Sequence, residues 1–312
     1  MKPPAFTYHR PATVADALDV LAEAGADSKV LAGGQSLVPI LNMRLAAPGH
    51  LVDINRLYEL AGIRCEPGAV RVGALARHAE VERDGAAYAV LPLLRQATRH
   101  VAHPAIRNRG TTVGSLVHAD PAAELPAVLA LLSGSVLLAS AAGTRSVAAA
   151  DFFVGPLESA LRPGELAVEA AFPIPPPRTG TAWLEISRRR GDYAVCGVGA
   201  LVTLDPDGRV AVARAGYVSV GPTPVVVDLT EAVAGHPWDA ADWSAAGALA
   251  TAGVRPEDDI HASAAYRKHL VGVLTSRACR AAASSAFSLA TSAASPAAPS
   301  GASAASSGVA DA

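Results

Sequence analysis

Two glycine-rich segments hold the residues best suited to chemistry. The first is Ala32-Gly33-Gly34-Gln35-Ser36-Leu37, and the second is Gly110-Thr111-Thr112-Val113-Gly114-Ser115. Paired glycines let a backbone approach a bulky anion closely, and a helix start beyond them offers unpaired N–H groups and a positive dipole end. Two such segments on one domain can clasp a diphosphate from both sides. Taken singly, a strand–Gly-Gly–helix turn is more often a tight connection than a cofactor site. The standard nucleotide fingerprints G-x-G-x-x-G and G-x-x-x-x-G-K-[ST] are both absent, which disfavours a Rossmann dehydrogenase or a P-loop enzyme.

Other reactive side chains have plain readings beside the sharp ones. Asp120 is a helix cap or a ligand contact, and Glu124 can simply complement a helix dipole. Arg188, Arg189 and Arg190 read by default as a solvated charge run, and Tyr193 as a half-buried strand aromatic. Asp53 reads as a strand-end cap. His100, His103 and His118 flank the second glycine segment, but their spacing matches no tetrahedral metal set. The cysteines Cys65, Cys196 and Cys279 are too few and too scattered for an iron–sulfur cluster or a zinc ribbon. Any metal centre in the pathway must then sit on another chain.

The elements that position these residues follow from periodicity and punctuation. Residues 4–57 read as βαβαβ, with Thr13 as an N-cap and Gly25 as a stop. Residues 58–172 mix short strands with two helices, one over 90–98 and one beginning at Asp120-Pro121. Pro173-Ile-Pro-Pro-Pro-Arg-Thr-Gly marks a domain boundary. Three strands follow, over 182–187, 194–204 and 210–220, the last two joined by the turn Asp205-Pro-Asp-Gly. Helices are predicted from about Ala240 and over 262–280. The Ala/Ser/Pro/Gly composition of 281–312 predicts a disordered tail that can be removed without loss.

The chain has 312 residues, which suggests two domains or three small ones, and with 51% hydrophobic and 17% charged residues it has enough apolar material for real cores. A net charge of −2 with few aromatics argues against a nucleic-acid groove or an anionic membrane surface. No apolar run is long enough to span a bilayer. The start MKPPAFTYHR lacks a signal-peptide core, so a cytoplasmic location is expected.

Five segments in order resemble the FAD-binding medium subunits of the carbon monoxide dehydrogenase and xanthine dehydrogenase family of molybdenum hydroxylases. They are AGGQSLVPILNMRL (32–45), LVDINRL (51–57), AIRNRGTTVGSLVHADPAAELPAV (105–128), EISRRRGDYAVCGVGA (185–200) and YRKHLVGVLTSRA (266–278). The resemblance covers nearly the whole chain up to residue 280. It implies an α+β fold: a two-lobed FAD-binding domain of the vanillyl-alcohol-oxidase-like PCMH type, then a smaller α+β domain with an antiparallel sheet and helices. The expected limits are 1–175 (lobes about 1–57 and 58–175) and 180–280.

The resemblance also implies roles. Ala32, Gly33, Gly34, Gln35, Ser36 and Leu37 would wrap the FAD diphosphate, with Thr111, Gly114 and Ser115 holding it from the other side. Asp120 and Glu124 would contact the cofactor, and Val101 would pack against its ring system. Leu166 would lie near the adenine, while Arg188 to Tyr193 would approach the flavin. The molybdenum cofactor and 2Fe-2S clusters would sit on a large and a small partner subunit, in a dimer of heterotrimers. Electrons would pass from the iron–sulfur subunit through FAD to a quinone, O₂ or NAD⁺.

Two departures stand out. Val113 replaces the first glycine of a T-[IV]-G-G-[NS] pattern, which predicts strain at a positive φ and tighter FAD binding in Val113→Gly. Glu185 stands where some members carry a lysine toward the cofactor, and no contact is assigned to it. Two rival readings are a self-sufficient flavin oxidase, for which a substrate cap domain is missing, and a scaffold that has lost FAD, suggested by Val113.

Overall fold

Thr13 caps the first helix. In the computed structural model, which describes residues 2–294, its side chain accepts from the Asp16 N–H, and the Asp16 carboxylate accepts from the Thr13 N–H, both at 3.1 Å. This capping box starts a helix over Val14–Ala24 that buries Ala17 and Leu21 and stops at Gly25, φ +50°. That helix and a second, Leu37–Asn42, connect strands Thr7–His9, Ser28–Leu31 and His50–Asp53. Helical crossovers join parallel strands, and the three form a parallel sheet with His50–Asp53 at its centre. The βαβαβ reading is the fold of this lobe.

The second lobe is a five-stranded antiparallel sheet in the order Ile63–Glu66, Ala69–Gly73, Leu166–Pro173, Ser135–Ser140, Gly143–Ala148. Its helices depart from the sequence reading in three places. The helix expected over 90–98 is two pieces, Gly85–Val90 and Pro92–Thr98, because the ring of Pro92 forces Leu91 out of helical geometry (φ −143°, ψ 70°). The helix expected from Asp120 begins instead at Glu124. Asp120 caps a turn by accepting from the Ala122 N–H at 2.9 Å, and the late start puts Pro126 in the first turn, where a missing N–H costs nothing.

The third departure is Val113. It lies within a helix, Thr112–His118, has no positive φ, and is 2% exposed in the core of the first two lobes. The helix needs a side chain here, so the expected strain does not exist, and the reason for supposing a chain that has lost FAD goes with it. Val113→Gly removes a buried side chain and a good part of the local helix propensity. We expect it to cost about 2–4 kcal/mol in chemical denaturation and to bind FAD no more tightly than the parent.

The C-terminal unit is a four-stranded antiparallel sheet of Thr179–Ser187, Ala194–Leu204, Val210–Val218 and Val225–Asp228. The turn at Asp205–Gly208 is as read, with Gly208 at φ +76° and the Asp205 carboxylate accepting from the Asp207 and Arg209 N–H groups. Helices Trp243–Gly253 and Ala264–Ala294 cover one face of this sheet. On its other face Trp183, Leu201 and Val218 join the core of the first two lobes. The strand Ala194–Leu204 is accordingly buried along nearly its whole length.

The expected tail needs correction. Residues 281–294 continue the last helix, and Ala282, Ala283 and Ala286 are fully buried. A side chain at Gly180 would collide with the backbone of Ala282 and Ala286, so strand and helix meet backbone to backbone. Alanine is the best helix former and the smallest apolar side chain, which is why an alanine-rich run packs here. Residues 295–312 lie outside the described residues.

Candidate functional site

The strand Ser28–Leu31 ends in the first glycine segment, and the helix Leu37–Asn42 leaves it. Between them the backbone N–H groups of Gly33, Gly34, Gln35 and Ser36 find no acceptor among the described residues. Gly34 takes φ +74°, which turns the chain at little cost only for glycine. Gln35 donates to the Gly33 carbonyl at 3.1 Å, and Asn55 donates to the Ala32 carbonyl at 2.8 Å. The loop is thus held through its carbonyls, with these four N–H groups left free among the described residues.

Beside it is a cavity of about 670 Å³, within the usual range for cofactor sites. Besides Ala32 to Gln35, its walls include Arg10, Asp53, Asn55, Arg77 and Arg109. Arg77 is fixed by donating to the Arg109 carbonyl at 2.6 Å and to the Asn55 side chain at 2.7 Å. Burial, and then the charge of Arg109, lower the Arg77 pKa from its ordinary value. Two cations held this close in a half-buried wall favour an anionic occupant. Asp53 also accepts from the Asn55 N–H at 2.9 Å, the strand-end cap read from the sequence.

The second glycine segment abuts the first. A Cβ on Gly33 would lie 2.6 Å from the Arg109 carbonyl oxygen and 2.8 Å from the Gly110 Cα. Behind Gly110 sits His78, whose N–H donates to the Gly110 carbonyl at 3.0 Å. Burial, and then Arg107, lower the His78 pKa to about 4, so its ring is neutral packing for the loop. Thr111 caps the following helix by accepting from the Gly114 N–H at 3.2 Å. Gly114 and Ser115 are therefore in the first turns of a helix rather than in a loop, a difference from the sequence reading.

Asp120, Glu124 and Tyr193 lie near one another, outside the walls of that cavity. Val101 is half-buried, and its carbonyl accepts from Arg107 at 3.0 Å. The 188–193 loop lies against the same stretch, because Gly191, φ +88°, is pressed onto the His103 ring. Arg188 is exposed and Tyr193 is 67% exposed. Glu124 is buried. Leu166 is 2% exposed in the core, which leaves only its backbone for any ligand.

Sequence reasoning missed Arg10, Asn55, Arg77 and Arg109, which come from separate elements and share no motif. Among the described residues no cluster of three or more His, Cys, Asp or Glu side chains is placed to hold a metal ion.

Two family descriptions match the chain. Residues 4–175 match the family described as the FAD binding domain in molybdopterin dehydrogenase, and residues 181–282 match the CO dehydrogenase flavoprotein C-terminal domain. The alpha subunit of the 6-hydroxypseudooxynicotine dehydrogenase complex of Paenarthrobacter nicotinovorans is 42% identical over 89% of this chain and 94% of its own. The carbon monoxide dehydrogenase medium chain of Afipia carboxidovorans is 37% identical over 89% of this chain and 96% of its own. The crystal structure of quinoline 2-oxidoreductase from Pseudomonas putida 86 has a chain that superposes with a TM-score of 0.86 at 37% identity, covering 92% of this chain and 100% of that one. With both halves of its fold matched, the chain belongs to the FAD-binding medium subunits of the molybdenum hydroxylase family.

Proposed function

We propose that the chain binds one FAD non-covalently and carries electrons from an iron–sulfur partner subunit to an external acceptor. The observation that carries this reading is the run of four N–H groups at Gly33–Ser36, without an acceptor among the described residues, beside a cavity walled by arginines. FAD supplies the exchange between two-electron and one-electron steps; the protein's part is to bind and orient. Ala32 to Leu37 hold the diphosphate through backbone N–H groups, and Thr111, Gly114 and Ser115 close on it from the other side. Arg77 and Arg109 offset its charge. Val101 and Tyr193 flank the ring system, with Asp120, Glu124 and Arg188 around them, and the Leu166 backbone lies toward the adenine.

The complex on this reading contains a large molybdenum-cofactor subunit and a small 2Fe-2S subunit, arranged as a dimer of heterotrimers. Its names among relatives support the first part: a medium chain, and a subunit alpha of a dehydrogenase complex. No helix among the described residues is long and apolar enough to cross a membrane, and a cytoplasmic location is proposed with the rest.

The test is direct. The purified chain loaded with FAD should show oxidised-flavin absorption bands, and acid precipitation should release all flavin to the supernatant. A folded chain that takes up no flavin would refute the reading, and flavin remaining in the pellet would refute non-covalent binding.

A further inference from the structure

One chain of hydrogen bonds in the cavity wall ties the two glycine segments to each other. Among the described residues no backbone hydrogen bond joins 32–37 to 109–115 directly. The link runs through side chains. Asn55 donates from Nδ2 to the Ala32 carbonyl at 2.8 Å, and its Oδ1 accepts from one guanidinium nitrogen of Arg77 at 2.7 Å. A second guanidinium nitrogen donates to the Arg109 carbonyl at 2.6 Å. Asn55 follows the strand His50–Asp53 of the first lobe, and Arg77 precedes the helix His78–Arg83 of the second, so this strut also spans the two lobes.

Each member is held in one orientation. Nδ2 of Asn55 faces oxygens only: the Ala32 carbonyl, the Leu31 carbonyl at 3.4 Å and Oδ1 of Asp53 at 2.6 Å. Arg77, which has only donors, faces Oδ1, and a flipped amide would satisfy none of these partners. Asp53 also accepts from the Asn55 N–H at 2.9 Å, and its second oxygen accepts from the Tyr8 hydroxyl. A carboxylate therefore stands in the same wall as Arg10, Arg77 and Arg109 because it aligns Asn55. The root of Arg77 is fixed as well. Its N–H donates to the Glu80 carboxylate at 2.7 Å, and its backbone bridges to that of Thr111.

Contact and strut act in opposite directions. The segments meet so closely at Gly33 that a Cβ there would overlap Arg109 and Gly110, which limits further approach. The strut limits how far they can drift apart. We propose that Asn55 and Arg77 are positioning residues that fix the spacing between the two glycine segments, and through it the fit of a diphosphate gripped by both. The spacing stands on these hydrogen bonds alone; its consequence for the diphosphate rests on the FAD reading above. Lysine at position 77 keeps the charge but has no fork with which to reach both acceptors. A point-charge role for Arg77 predicts parent-like behaviour in Arg77→Lys, and the strut predicts loss.

The spacing is tested first in the FAD-free full-length chain, by amide hydrogen exchange. The Thr112 N–H donates to the Ala76 carbonyl at 3.2 Å, beside the Arg77–Thr111 bridge. Its protection should fall about tenfold or more in Arg77→Lys and in Asn55→Ala, while the N–H groups of strand Leu166–Pro173 keep theirs. Unchanged protection at Thr112, or an equal loss throughout the chain, overturns the fixed spacing whether or not FAD binds. Calorimetric titration with FAD then reads the grip. Each substitution should weaken binding by about tenfold or more, and the double variant should be no weaker than the worse single one, because both break one link. Parent-like affinity in Arg77→Lys, or effects that multiply in the double variant, overturn the positioning role. A parent chain that takes up no flavin overturns the FAD reading and with it the consequence for the diphosphate, while the exchange result still decides the spacing.

Discussion

Gly33→Ala should fold but bind flavin about a hundredfold more weakly than the parent. The added methyl would stand 2.6 Å from the Arg109 carbonyl oxygen, 2.8 Å from the Gly110 Cα and 3.1 Å from the Thr111 nitrogen. All three are backbone atoms, so no rotamer change can make room, and the two glycine segments must separate. Gly33 has no positive φ, so alanine is conformationally acceptable there and the damage is confined to the contact. Overpacking of this kind costs about 1–3 kcal/mol of stability. Flavin affinity should fall by about a hundredfold or more, roughly 3 kcal/mol, because the cradle itself is displaced. Gly34→Ala provides the contrast. Its φ of +74° carries a conformational cost of about 1–2 kcal/mol, but its nearest neighbours are the side chains of Leu31 at 3.2 Å and Val38 at 3.3 Å, which can yield. Flavin titration should therefore rank Gly33→Ala as the worse binder. The reverse order would mean that the two segments are not the two halves of one cradle.

Truncation after Arg280 is the second large effect. It removes the fully buried Ala282, Ala283 and Ala286, and with them Phe287, whose ring lies 5.3 Å from that of Trp238. It also uncovers the backbone of the strand around Gly180. The lost apolar burial is on the order of 3–6 kcal/mol, a large part of a typical total stability. The truncated chain should melt about 10 °C lower or more, or be recovered as aggregate. An unchanged melting temperature would show that the helix beyond Arg280 contributes nothing.

These two cases also separate what could be read from the sequence from what could not. The capping box at Thr13, the turn at Asp205–Gly208 and the Gly33-Gly34 turn are local devices, so their chemistry is visible in a few consecutive residues. The start at Glu124 was hidden because two proline signals compete, and Pro126 decides between them. Alanine-rich composition looks the same in a disordered tail and in a helix packed on glycine; the partner at Gly180, about a hundred residues earlier, makes the difference. Arg77, Arg109 and Asn55 reach one cavity wall from three separate elements.

The strand Ala194–Leu204 and its neighbours complete two cores at once, with Trp183, Leu201 and Val218 filling the side of the FAD-binding lobes. During synthesis those lobes leave the ribosome first, and domains commonly fold in that order. Here the first-made part cannot finish. Leu131, which packs on Gly199 and Gly216 of the later sheet, faces water until some eighty more residues have been added. The nascent chain thus passes through an interval in which this apolar surface is open, and it closes only when the sheet arrives.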